Sequence, residues 1–161
     1  MGYALEAVIA GEEPARAVAR AVPGARVVPL GRGLALVPVT DEVRAAVTGG
    51  TGPATLGFRW LPAEFDALLA QGSALGPVAY VEAEYFGGVG EERAAVWSAG
   101  ALALGPLDAP TRRLFRRAAG PVCRALRRLG VRRGPGRDEF EAVGLGRHRD
   151  TEDWVSSGAT R

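Results

Sequence analysis

Apolar and polar residues alternate loosely through "YALEAVIAG", placing Tyr3, Leu5, Ala7 and Ile9 on one side, the period-two pattern of a strand. In "EEPARAVARAV" the apolar positions move to a helical spacing at Ala15, Val18, Ala19 and Val22. Glu12 and Glu13 suit the positive end of that helix, Pro14 is tolerated in its first turn, and Pro23-Gly24 stops it. "ARVVPLGRGLALVPVT" predicts two short strands around a three-residue loop, Gly31-Arg32-Gly33. Pro29 and Pro38 lack the donor that a central ladder needs, so part of this hairpin is expected at a sheet edge.

Thr40 or Asp41 can cap a short helix over "DEVRAAV", and "TGGTGPATLG" reads as a loop. Pro62, followed by Phe65, Leu68 and Leu69, predicts an amphipathic helix. "YVEAEYFGGVGEERAAVW" and "SAGALALGPL" then predict three strands joined by tight turns. The clearest helix is "GPVCRALRRLGV": Pro121 starts it, Val122, Ala125, Leu126 and Leu129 form its buried stripe, and Gly130 supplies a left-handed cap. "DEFEAV" reads as one short helix. Strands joined by tight turns and interleaved with helices place the chain in the α+β class. The expected architecture is a largely antiparallel sheet of about six strands covered by about four helices. It forms a single domain over residues 1–155, with residues 156–161 as a frayed tail.

Within "YFGGVGEER" the glycines separate two runs rich in aromatic and β-branched residues. A phosphate cradle needs glycines that lead into a helix start, and no Gly-Lys-Ser/Thr follows here. Chain reversal is the simpler reading. A reversal at Gly88-Val89, or a four-residue loop over Gly87 to Gly90, sets Tyr80 opposite Trp97, Glu84 opposite Arg93 and Val81 opposite Val96. Tyr80, Glu82, Glu84 and Phe86 then share one side and Ala79, Val81, Ala83 and Tyr85 the other. The small apolar side is expected under helices, which leaves the acids beside aromatics on a second face. That face is either a solvated sheet surface or a recognition surface for a basic partner, with Tyr80, Glu82, Glu84, Arg93 and Trp97 as its residues. A third reading makes Glu82 and Glu84 an acid pair for catalysis, for which nothing else in the sequence completes the chemistry.

Charge adds a second candidate. Residues 1–107 carry seven arginines against eleven acids, a net of −4, and residues 108–161 carry thirteen against seven, a net of +6. In the Pro121 helix Arg124, Arg127 and Arg128 oppose the apolar stripe, and Arg132 and Arg133 follow. Such a face is the usual footprint of phosphate contacts, and equally the outer face of any amphipathic helix. All 20 basic residues are arginine. A G- and C-rich genome explains that, and selection for bidentate anion contacts is the functional alternative.

The remaining residue types exclude more than they offer. Cys123 is a lone cysteine, so no internal disulfide forms, and it reads as a packing residue. His148, the single histidine, stands near Asp150, Glu152 and Asp153, but one histidine without a cysteine pair does not make a transition-metal site. None of Ser73, Ser98, Ser156 and Ser157 sits in a nucleophile elbow. No metal, cofactor or catalytic set is therefore expected. Without a basic leader or an apolar run of about 20 residues, a soluble cytoplasmic protein with no membrane partner is expected.

The strings "PVAYVEAEYFGGVGEERAAVW", "RALRRLGV" and "DEFEAVGLGRHRDTEDW" resemble a group of small actinobacterial proteins over most of the chain. That group carries no activity to transfer to any residue. Small acidic-faced α+β proteins of such bacteria are often immunity proteins, which neutralise a toxin by binding it. By analogy of type alone, a protein partner is expected, with a basic toxin domain as its class. Nucleic-acid binding through the arginine-rich part is the alternative, and homo-oligomerisation stays open.

Overall fold

The computed structural model of the chain describes residues 2–48, 56–87, 89–110 and 120–158. The polar loop read at "TGGTGPATLG" falls largely outside these residues, as do Gly88 and the arginine-rich stretch 111–119. Six strands form one antiparallel sheet: β1 (Tyr3–Gly11), β2 (Val28–Pro29), β3 (Leu34–Pro38), β4 (Val78–Phe86), β5 (Val89–Ser98) and β6 (Ala101–Pro110), in the order β2-β3-β1-β4-β5-β6. The helices are α1 (Glu12–Arg20), α2 (Asp41–Thr48), α3 (Ala63–Gly72), α4 (Pro121–Arg128), α5 (Glu139–Val143) and α6 (Thr151–Gly158). The α+β class and the antiparallel sheet are as expected, with six α-helices among the described residues where about four were read. None of the described helices is long and apolar enough to cross a membrane.

Local chemistry accounts for most of the boundaries. Thr40 Oγ1 accepts the Val43 N–H at 3.1 Å and caps α2. Pro121 opens α4, and Asp138 caps α5 by accepting the Glu141 N–H at 2.9 Å. The Gly31-Arg32-Gly33 loop closes as read, with the Leu30 N–H donating to Leu34 O at 2.9 Å and Arg32 and Gly33 at φ of 63° and 75°. β6 is one edge of the sheet and β2 the other. Pro29 offers no donor there, and its carbonyl accepts from Arg147 Nη2 at 2.6 Å, so little of this edge is free to pair with another strand.

The helix α6 was not expected, and the tail read as frayed from residue 156 is helical to Gly158. Its start completes the sheet. β3 pairs with β1 only from Ala7 onward, and beside Ala4 the chain at Arg149–Asp150 takes its place, with the Ala4 N–H donating to Arg149 O at 2.8 Å.

Side chains of the sheet feed two cores. Leu5, Ala7, Ile9, Val81, Ala94 and Val96 pack against α4, Phe140, Leu145 and Trp154. Val8, Ala10, Val78, Tyr80, Ala95 and Trp97 pack on the other side against Val18, Val43, Phe58, Phe65 and Leu69. Helices thus cover both faces, where the sequence reading left the Tyr80/Trp97 face uncovered. Val8 and Ala10, apolar on the supposed outer side of β1, are the local reason this face is buried.

Candidate functional site

The β4–β5 hairpin has a different register from the one read in the sequence. Phe86 pairs directly with Val89, so Glu82 faces Arg93, Tyr80 faces Ala95, Ala79 faces Val96 and Val78 faces Trp97. The reversal starts at Gly87, with φ of +61°, one residue before the predicted Gly88-Val89 turn. Val89 joins the strand in consequence, and every pair moves by two residues. A shift of two leaves each side chain on its predicted face, and only the partners change.

The new register aligns a row of ionisable groups across four strands: Glu6 on β1, Glu82 on β4, Arg93 on β5 and Asp108 on β6. Glu82 is 4% exposed. Its Oε1 accepts the Arg59 N–H, and its Oε2 accepts both the Trp60 N–H and the Tyr80 hydroxyl, each at 2.8 Å. Phe58 packs edge-on against the Tyr80 ring, centroids 5.0 Å apart. Burial, and then the Glu82 charge, push the Tyr80 phenol well above its ordinary range, so it acts as a neutral donor. Trp97 is 1% exposed, and its indole Nε1 donates to Asp66 Oδ1 on α3 at 2.8 Å.

Three of the five residues read as a partner surface, Tyr80, Glu82 and Trp97, are therefore buried. Glu82 and Trp97 spend their polar atoms on the chain's own segment 59–66, and the Tyr80 hydroxyl donates to Glu82. Arg93 is mostly covered and pairs with Glu91 at 2.8 Å and more loosely with Asp108 at 3.8 Å. Glu84 is the open member: its side chain is 57% exposed and lies 3.4 Å from Arg59 Nη1, a surface pair that contributes little. The crevice beside this row measures about 20 Å³, room for one water molecule. Both Glu82 oxygens already accept hydrogen bonds, and among the described residues the crevice at the Glu82/Glu84 pair is far below substrate size.

Glu6 was not singled out from the sequence, although an acid amid the apolar residues of a strand is a signal. Its Oε2 accepts the Thr151 hydroxyl at 2.7 Å, and its Oε1 lies 3.5 Å from Arg44, whose guanidinium stands over Trp60 at 4.9 Å. Burial raises the Glu6 pKa above its ordinary 4.5, with Glu82 and Asp150 adding to the shift and Thr151 and Arg44 opposing it. The folded state therefore holds a proton that the unfolded chain has released, and stability falls as pH rises from 4.5 through the raised value. Glu6→Gln should match wild type in urea denaturation below pH 4.5 and gain on it toward pH 7. A gap that shrinks with rising pH would contradict this.

On the opposite face Glu92 is fully buried and accepts the Val122 N–H at 2.9 Å, a carboxylate set against the positive start of α4. The same face holds Cys123, whose thiol burial pushes up to about 12, so it stays protonated at neutral pH and serves packing. His148 lies edge-on to Trp154, centroids 4.7 Å apart. Among the described residues no group of three His, Cys, Asp or Glu side chains is placed to hold a metal. Of the arginines read as a phosphate footprint, Arg127 Nε donates to buried Glu139 at 2.6 Å, while Arg124, Arg128, Arg132 and Arg133 are exposed.

What the hairpin does present lies at its tip, where Phe86 is 70% and Val89 52% exposed. Directly behind this apolar pair Glu84 faces Glu91, like charges at a site where the sheet favours opposite ones. Trp60, the other exposed aromatic among the described residues, lies beside Glu84 in the lining of the crevice. Compared with models of protein families, with curated proteins and with solved structures, the chain matches none.

Proposed function

We propose that this chain is a non-catalytic protein-binding module that engages a basic partner through the distal end of the β4–β5 hairpin. The observation that carries this reading is the pairing at the tip. An exposed Phe86–Val89 couple is backed by an opposed Glu84–Glu91 couple, two acids brought together at one edge of the tip and each held by a single arginine, Arg59 or Arg93. An approaching guanidinium or ammonium would meet two adjacent carboxylates while Phe86 and Trp60 supply the apolar anchors that dominate interface energies. A stable complex buries about 800 Å² per partner, more than the tip alone provides, so Trp60 and its neighbours belong to the contact. Analogy with small acidic-faced α+β proteins of actinobacteria points to an immunity role in the cytoplasm, with a basic toxin domain as the partner.

Pull-down from cells of the source, comparing wild type with Phe86→Ser/Val89→Ser, tests this. Both side chains are exposed, so the double variant should keep wild-type stability to within about 0.5 kcal/mol. Wild type should retain a basic protein that the variant loses and that high salt releases. Equal recovery by the two, or none by either, would refute the assignment.

A further inference from the structure

The second charged surface belongs to the other side of the sheet, where α4 packs. Arg124 and Arg128 stand one helical turn apart on its outer face, and Arg132, Arg133 and Arg137 follow in the connection to α5. Folding adds a sixth group from far away in sequence: Arg32, at the tip of the β2–β3 loop, reaches over Gly134. Its Nη2 is 3.7 Å from the position that a first side-chain carbon of Gly134 would take. All six arginines are exposed, and among the described residues none of them forms a salt bridge. Of the acids next to them in sequence, Glu139 is buried against Arg127, Asp138 caps α5, and Glu141 lies on the exposed side of that helix.

We propose that this surface binds the phosphate backbone of a double-stranded nucleic acid without reading its sequence. Three features select that ligand. Guanidinium groups grip phosphate oxygens in bidentate fashion, and unpaired cations in number are what drives counterion-release binding. Proteins that hold single strands add aromatic platforms for the bases, but the exposed aromatics among the described residues, Trp60 and Phe86, belong to the opposite face. Insertion into a lipid surface needs exposed large apolar side chains, and from residue 120 to 137 the described exposed side chains include none. Arg32 adds a local argument. It holds φ of 63°, a conformation easier for Gly or Asn, so the arginine there is not explained by the turn.

Fluorescence anisotropy with labelled 20-base-pair duplexes of mixed-sequence DNA and RNA provides the test, the pair distinguishing which backbone is preferred. Wild type should bind at least one duplex at 50 mM salt and lose roughly two to three decades of affinity by 200 mM, as for about five phosphate contacts. Arg124→Gln/Arg128→Gln should weaken binding at least tenfold and lower the salt slope by about two. Arg32→Asn should weaken binding while leaving the melting temperature equal or higher, a combination that a structural role would not produce. Arg16→Gln/Arg20→Gln, on α1 across the sheet, should change nothing. Absence of binding at 50 mM salt, equal losses in the α1 control, or tighter retention of single strands, polyglutamate or phosphatidylserine vesicles would each overturn the proposal.

Discussion

Glu82→Ala is expected to cost about 3–5 kcal/mol of unfolding free energy, since three largely buried donors lose their acceptor at about 1–3 kcal/mol each. The substitution leaves the N–H groups of Arg59 and Trp60 and the hydroxyl of Tyr80 without their acceptor in a site that water barely reaches. It also releases the segment from Phe58 to Leu61, both of whose ends are buried against the sheet. Glu82→Gln should recover only part of the loss, because its amide nitrogen would meet donors where the second carboxylate oxygen met them. Glu84→Ala, two residues along on the same face, should stay near zero or stabilise slightly, since it removes an exposed charge opposite Glu91. Urea denaturation followed by tryptophan fluorescence separates the two. A Glu82→Ala loss below about 1 kcal/mol would mean that the carboxylate is solvated, as a recognition surface requires.

That contrast marks how far the sequence could be read. Local signals sufficed where the deciding chemistry was local: Pro121 at a helix start, the Thr40 cap, the Gly31-Arg32-Gly33 loop and the edge strand marked by Pro29 all stand as read. The hairpin register was less legible because three glycines in four residues allow several reversals. It is settled by Gly87 taking the positive φ and by Gly90 pairing tightly with Tyr85, where a side-chain carbon would meet the Tyr85 Cα at 2.9 Å. The helix α6 escaped notice since "TEDWVSSG" buries Trp154 and Thr151 but carries no apolar stripe. The state of the Tyr80/Glu82/Trp97 face was hidden for a different reason. Each of those side chains is amphipathic or charged, and each is equally at home in water or inside with a partner. The partners are the 59–60 backbone and Asp66, residues 22 to 31 positions away. Nothing in the strand pattern itself announces them. Arg32 joined the basic surface on the same principle, through a loop that folding lays across Gly134.

Trp97→Ala should be comparably severe, about 3–5 kcal/mol, the usual range for emptying a core site of a large aromatic. Two losses add here: the packing of the indole among Val78, Phe65 and Leu69, and the hydrogen bond that orients Asp66 on α3. Trp97→Phe keeps most of the packing and should cost clearly less. Asp66→Ala should cost about 1–2 kcal/mol by orphaning the indole N–H. The double variant Trp97→Phe/Asp66→Ala should then be less destabilised than the sum of the two, because the shared hydrogen bond can be lost only once. Additive costs would mean that the two side chains do not interact. The same numbers bear on the binding assignment. If Trp97 were a partner anchor, alanine there would abolish binding at unchanged stability. As a core residue it abolishes the fold that presents the hairpin, so a loss of binding in Trp97→Ala or Glu82→Arg says nothing about the surface. Only residues whose removal the fold does not notice can report on a partner, and on this hairpin those are Phe86, Val89 and Glu84.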